Sequence, residues 1–492
     1  MLFNSLEFIL LFLPVSILGY YICIRSQWLG APKAWLVLCS LFFYSWWNPN
    51  YLSLILVSIL VNYSFGSAII RNPPNRIRSI LMLSGIGFNL FLLGYYKYWD
   101  FFLTTTNEVL GTHFPLLDLL LPLAISFYSF QQIAYLVDCY HGEVREANFL
   151  NYALFITFFP QLIAGPIVHH KEMMPQFDHN ENRFFNYENQ AKGLFIFSIG
   201  LFKKVVLADT FAKWSTQGFN QSQDLSFIDG WVTALSFIFQ LYFDFSGYMD
   251  MAMGTALFFN IKLPVNFNSP YKALNIQEFW NTWHMTLGRF LYRYVYIPFN
   301  KSLLNRVFIP LGLQKYVKLR THLSLFFVFL VSGIWHGAGW TFVIFGVLHG
   351  TAVVGYRLWR NTGLRLPAFM AWGLTFGFVV LSSVFFRASS VAEALRIVAA
   401  ICGLNGVVFP ARLEGLLSEL PFIAFQDLVI VSVSESTIFL LIGFLIILCC
   451  KNSIQLTERF RPNLLYFIYC VFLLLTSLLN LTKASEFLYF NF

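Results

Sequence analysis

Carboxylates are scarce in this chain, and between Phe279 and Ala392 there are none at all. Charged residues make up only 11% of the 492 positions, against roughly 25% in soluble domains. With 58% hydrophobic residues and a mean hydropathy of +0.64, so little charge excludes a soluble globule and implies an integral membrane protein with no nucleic-acid partner. Cysteine is sparse as well. The seven (Cys23, Cys39, Cys139, Cys402, Cys449, Cys450, Cys470) lie mostly within or at the ends of apolar runs and form no C-x-x-C pair. They read as reduced packing residues rather than disulfides or metal ligands, and no metal is expected. No phosphate-cradling glycine loop of the P-loop or dinucleotide type is present, so any nucleotide-like ligand must be held another way. No G-x-S-x-G elbow is present either, which leaves an acyl-serine mechanism little support. The ten-residue alternation of a membrane β-barrel is missing too.

What the chain does have is helical spans. A crossing helix needs roughly 20 apolar residues. Candidate segments lie near 2–24, 34–47, 51–70, 79–99, 116–137, 150–168, 193–208, 228–258, 321–335, 341–356, 368–386, 436–450 and 463–481. The fold class is therefore all-α, a polytopic membrane protein with about 11–13 membrane helices, some re-entrant or half-spanning because they are short. Leu2 to Ile24 lacks a basic leader and a small-residue cleavage site and reads as a retained span. Basic loops face the cytoplasm; Arg71 to Arg78 is basic while Asp100 to Asp118 carries acids without Lys or Arg. That alternation puts Met1 outside. No internal repeat is visible, which weakens a transporter reading.

Ser332 to Trp340 sets an ionisable His336 within an apolar run. A titratable side chain at membrane depth is costly and marks a candidate site. The run from Leu323 to Trp335 is helical by composition, starting after the basic stretch that ends at Arg320, so His336 stands roughly 20–24 Å above that end. Gly337 and Gly339 permit a turn, and the chain returns to Arg357 and Arg360. The expectation is a hairpin with His336 near its apex and His349 midway down the returning arm. A neutral imidazole there suits general-base work on a hydroxyl; the bland alternative is a packed histidine bonded to a backbone carbonyl.

Asn275 and Glu278 read as a helix start, with an Asn cap and Glu at the third helical position. The helix from Gln277 to about Tyr296 is expected to be continuous and interfacial, with Asn281, His284, Gly288 and Leu291 on one side. Eleven lysines and arginines lie between Arg289 and Arg387. The favoured account is the positive-inside rule and attraction to anionic lipid; a cytoplasmic mouth that gathers a polyphosphate ligand such as coenzyme A does not exclude it. Asp244 and Asp250, buried in an apolar helix, must pair, protonate or line a wet cavity; a structural hydrogen-bonding role is favoured.

Four motifs in order, Phe159-Pro-Gln-Leu-Ile-Ala-Gly-Pro-Ile167, Tyr242-Phe-Asp-Phe-Ser-Gly-Tyr248, Phe279-Trp-Asn-Thr-Trp-His-Met-Thr-Leu287 and Ser332 to Trp340, together with the aromatic tail Phe487 to Phe492, resemble the membrane-bound O-acyltransferase family. The resemblance is nearest to its bacterial, alginate O-acetyltransferase-like branch. It covers nearly the full length and implies a single domain over 1–492: N-terminal helices 1–150, a catalytic core 151–390 and C-terminal helices 391–492 around a tunnel. It further implies that His336 is the essential histidine and His284 the second one. Acetyl-coenzyme A would be the donor, entering from the cytoplasm, with Arg289, Arg293 and Asn281 as candidate contacts. The acceptor hydroxyl would belong to an extracytoplasmic SGNH-hydrolase-like acetyltransferase or a small carrier protein, serving O-acetylation of an exported polysaccharide such as alginate at the bacterial inner membrane. The rivals are a glycan or acyl-carrier flippase using His336 and Asp244 for proton coupling, and a non-catalytic membrane anchor.

Overall fold

The computed structural model describes residues 1–46, 48–410, 424–426, 433–481 and 487–488. Of the aromatic tail, positions 489–492 lie outside the described residues. Helices dominate; a parallel pair of three-residue strands, Val408–Pro410 and Ala424–Gln426, is the strand content among the described residues. Among the described residues, five helices are long and apolar enough to cross a membrane: Asn50–Arg71, Arg76–Leu110, Val317–His336, Trp340–Asn361 and Ala368–Arg387. Phe8–Ile24, Ala31–Ser45, Glu435–Cys449 and Leu464–Leu479 are shorter apolar helices. The chain is an all-helical, polytopic membrane protein.

Three expected helices differ from the sequence reading. The segment expected at 116–137 is helical only over Ile125–Tyr140. Pro115 and Pro122 lack N–H donors and push their predecessors out of the helical region, and Gly111 ends the preceding helix at φ +63°. The Asp100 carboxylate holds the loop, accepting hydrogen bonds from the amides of Leu117 and Asp118 at 2.8 and 3.0 Å. The segment at 150–168 is broken: Phe149–Thr157 stops at Phe158 (φ −47°, ψ 106°), ahead of the four-residue turn Phe159–Leu162 with Pro160 near its start. The third, around His284, belongs to the site.

The chain divides into two compact units. The first comprises Met1–Phe202, Gly247–Asn266 and Thr457–Phe492. Its membrane helices are joined by polar side chains, since apolar burial gives little net drive between helices in lipid. Asn89 Nδ2 donates to Asn62 Oδ1 at 2.6 Å, and Asn62 Nδ2 and Ser58 Oγ both donate to Gln132 Oε1 at 2.8 Å. Glycines set a second close contact: a Cβ on Gly193 would lie 2.8 Å from the Gly254 carbonyl oxygen, and one on Gly200 2.6 Å from that of Gly247.

The second unit, Lys203–Ser246 and Phe267–Leu456, carries the histidines of interest. Its centrepiece is the antiparallel pair Val317–His336 and Trp340–Asn361. The two backbones meet at glycines; a Cβ on Gly333 would sit 2.4 Å from the Phe342 carbonyl oxygen and 2.8 Å from Gly346 Cα. The helix Phe227–Leu257 belongs to this unit as far as Ser246.

Candidate active site

His336 is the last residue of its helix and lies at the apex of the hairpin that the glycines and flanking arginines predict. The glycines serve a different purpose from a positive-φ turn. Gly337 and Gly339 are extended (φ −165° and −174°), a conformation open to any residue. Gly337 is needed for room: a Cβ there would meet the Phe342 ring at 2.1 Å. That close approach lets the chain reverse directly under the imidazole. The buried ring packs against Trp335, Phe386 and Phe345 with centroids 4.9, 5.0 and 6.2 Å away.

His284 occupies a break that periodicity did not reveal. The expected helix over 277–296 is two helices, Ile276–Thr282 and Met285–Leu291, with Trp283 extended and His284 left-handed at φ 45°. The first is capped as expected: Asn275 Oδ1 accepts from the Glu278 amide at 2.9 Å, and Glu278 reaches back to the Leu274 amide at 3.0 Å. A left-handed non-glycine residue costs about 1–3 kcal/mol and concentrates at functional sites. The break separates Asn281 from His284, Gly288 and Leu291, so the expected common face does not exist. Trp283 is buried and stacks on Phe279 at 5.6 Å, because rings from three other segments cover this side of the helix.

His284 lies outside the spanning helices and is almost completely buried; burial pulls its pKa from 6.5 to about 3. Its ring meets Phe245 edge-on at 4.9 Å and Trp335 at 6.4 Å. One indole therefore touches both histidines that the sequence singles out, bringing them into one aromatic cluster.

A third histidine joins them. Trp280 Nε1 donates to His349 Nδ1 at 3.1 Å, which requires the tautomer with its proton on Nε2. The ring of His349 packs on Phe345 at 4.4 Å, and Phe345 in turn faces His336. In the sequence His349 carries one local signal, a histidine–glycine pair on the returning helix. Asp244 has a structural partner: Lys204 Nζ lies 2.6 Å from its carboxylate and 3.1 Å from Asp209, deep in the protein. Lys204 sits in a π-helical turn, Lys203–Ala208, a feature frequent near functional sites.

The remaining candidates lie on the elements that flank His284. Arg289 is exposed one turn beyond His284, and Arg293, in the π-helical turn Tyr292–Tyr296, stacks over the Tyr294 ring at 5.3 Å. Asn281 is exposed on the preceding helix. Among the described residues no group of three or more His, Cys, Asp or Glu could hold a metal ion.

Buried histidines gathered inside a polytopic helical bundle define a membrane-embedded candidate active site. The family model for MBOAT, the membrane-bound O-acyltransferase family, matches residues 140–308 and 297–387. The chain is similar to the peptidoglycan O-acetyltransferase of Helicobacter pylori, 45% identical over 527 residues, covering 100% of this chain and 98% of that one. It resembles a probable alginate O-acetylase of Pseudomonas aeruginosa, 35% identical over 80% of this chain and 74% of the other. It also resembles the teichoic acid D-alanyltransferase of Bacillus subtilis, 27% identical over 54% and 69%. The chain belongs to the membrane-bound O-acyltransferase family and is an enzyme of acyl transfer to oxygen.

Proposed function

We propose that the protein is an O-acetyltransferase that takes acetyl from cytoplasmic acetyl-coenzyme A and delivers it across the bacterial inner membrane to an acceptor hydroxyl. The acceptor is an extracytoplasmic SGNH-hydrolase-like acetyltransferase or a small carrier, which acetylates an exported polysaccharide. Peptidoglycan is preferred over alginate, because similarity to the peptidoglycan enzyme extends over the entire chain at 45% identity. Met1 lies outside and the Arg71 to Arg78 loop in the cytoplasm.

The observation that carries the reading is His336 at the hairpin apex, enclosed by Trp335, Phe345 and Phe386. Its imidazole removes the proton from the acceptor hydroxyl as the oxygen attacks the thioester carbonyl. The carbon–sulfur bond breaks, the coenzyme thiolate leaves, and the proton held by the imidazole returns to sulfur. His284, neutral by burial, orients or polarises a reacting group. Arg289 and Arg293 attract the coenzyme phosphates, and Asn281 is a further candidate contact to the coenzyme.

The test is direct. His336→Ala, shown by gel filtration to be folded, is assayed for transfer of labelled acetyl from acetyl-coenzyme A. A fall of about 10²–10⁴-fold is expected for loss of a general base. Unchanged turnover discards the assignment.

A further inference from the structure

One feature outside the histidine cluster combines an apolar wall with unpaired positive charge. The helices Trp340–Asn361 and Ala368–Arg387, with the link between them and residues Leu274 to Ile276, enclose an open cavity of about 850 Å³. Trp359, Leu364, Leu374 and Phe378 supply apolar surface; Arg360 and Arg365 stand at the end where the two helices join. Both arginines are exposed, and neither guanidinium has an ion pair or hydrogen bond among the described residues. The neighbouring acid, Glu278, is already held by the Leu274 amide. Leu364 and Leu374 are 62% and 64% exposed, a degree of exposure that calls for an apolar partner beside the two positive charges.

We infer that this cavity is a binding site for one anionic glycerophospholipid, with the phosphate between Arg360 and Arg365 and an acyl chain along Leu374 towards Phe378. The charge complementarity fixes the occupant. Basic pockets between spanning helices at the cytoplasmic end face the leaflet that carries anionic lipid, while a zwitterionic headgroup offers no net charge to two unpaired arginines. The aromatic belt position of Trp359 fits the same depth. The site also reaches the catalytic region from behind, because the Phe378 ring lies 5.1 Å from that of His349. Lipid in this groove fills the wall against which His349 is held.

The test uses the full-length protein in neutral detergent, delipidated and titrated with phosphatidylglycerol or phosphatidylcholine of matched chains, with bound lipid counted by native mass spectrometry. One phosphatidylglycerol is expected to bind tightly, with phosphatidylcholine at least tenfold weaker. Arg360→Gln/Arg365→Gln should weaken the anionic lipid by roughly 25-fold, each arginine contributing a factor of about five, whereas Arg396→Gln, at an exposed arginine elsewhere, should leave it unchanged. Equal binding of the two lipids, or insensitivity to the double variant, overturns the proposal. So does displacement of phosphatidylglycerol by free coenzyme A, or a raised donor KM in the double variant, since the arginines would then serve the donor.

Discussion

At the scale of single residues, protonation separates the histidines. His284 is nearly inaccessible and stays neutral to about pH 3 when folded, but charges near its ordinary 6.5 when unfolded. A depressed histidine pKa therefore favours the fold fully above 6.5, and the contribution shrinks as pH falls towards 3. Between pH 7 and pH 5 the loss from this residue alone is about 2 kcal/mol. His170, lowered to about 4 by burial, adds in the same direction. Melting temperatures of wild type and His284→Gln at pH 7 and pH 5 check this. The variant should lose distinctly less stability on acidification, and identical losses would show that His284 is not the neutral buried group described. The same argument assigns any acid limb of the activity profile between pH 5 and 7 to a group other than His284.

At the scale of elements, the turn after His336 carries the geometry. The helix arriving at His336 and the helix leaving from Trp340 are held at contact distance by Gly333 and Gly346, and the connection passes beneath Phe342 only because position 337 has no side chain. Gly337→Ala forces the Phe342 ring, or the turn itself, to move. Phe342 packs on Phe386 at 5.4 Å, and Phe386 on His336 at 5.0 Å, so the displacement passes to the imidazole. A shift of about 1 Å at a reacting group can cost on the order of 10²-fold. The variant should therefore lose acetyl transfer by about that factor while its melting temperature falls by only a few degrees. Full activity would show that the ring yields without disturbing His336. This element was legible in advance, because an apolar run between basic ends with glycines in the middle permits few arrangements. The break at Trp283–His284 was not. The flanking residues keep helical spacing, and the left-handed His284 is packed by Phe245 and Trp335 while Phe267 covers the neighbouring Trp283, residues distant along the chain.

At the scale of the whole molecule, the basic loops fix the orientation proposed for the chain. In a cysteine-free background, Asn75→Cys should react with a membrane-impermeant maleimide only in inside-out vesicles, and labelling of intact spheroplasts would reverse the topology. The sequence by itself determined that the protein is helical and membrane-embedded, because scarce charge and long apolar runs leave the backbone no other way to satisfy its hydrogen bonds in lipid. It also determined where His336 would stand, since that depends only on helix rise and a local turn. Only the tertiary structure decided that Trp335 touches both His336 and His284, that Trp280 sets the tautomer of His349 from 69 residues away, and that Lys204 neutralises Asp244. Those pairings arise from packing between segments remote in the chain, where the contacts leave no periodic trace in the residues between them.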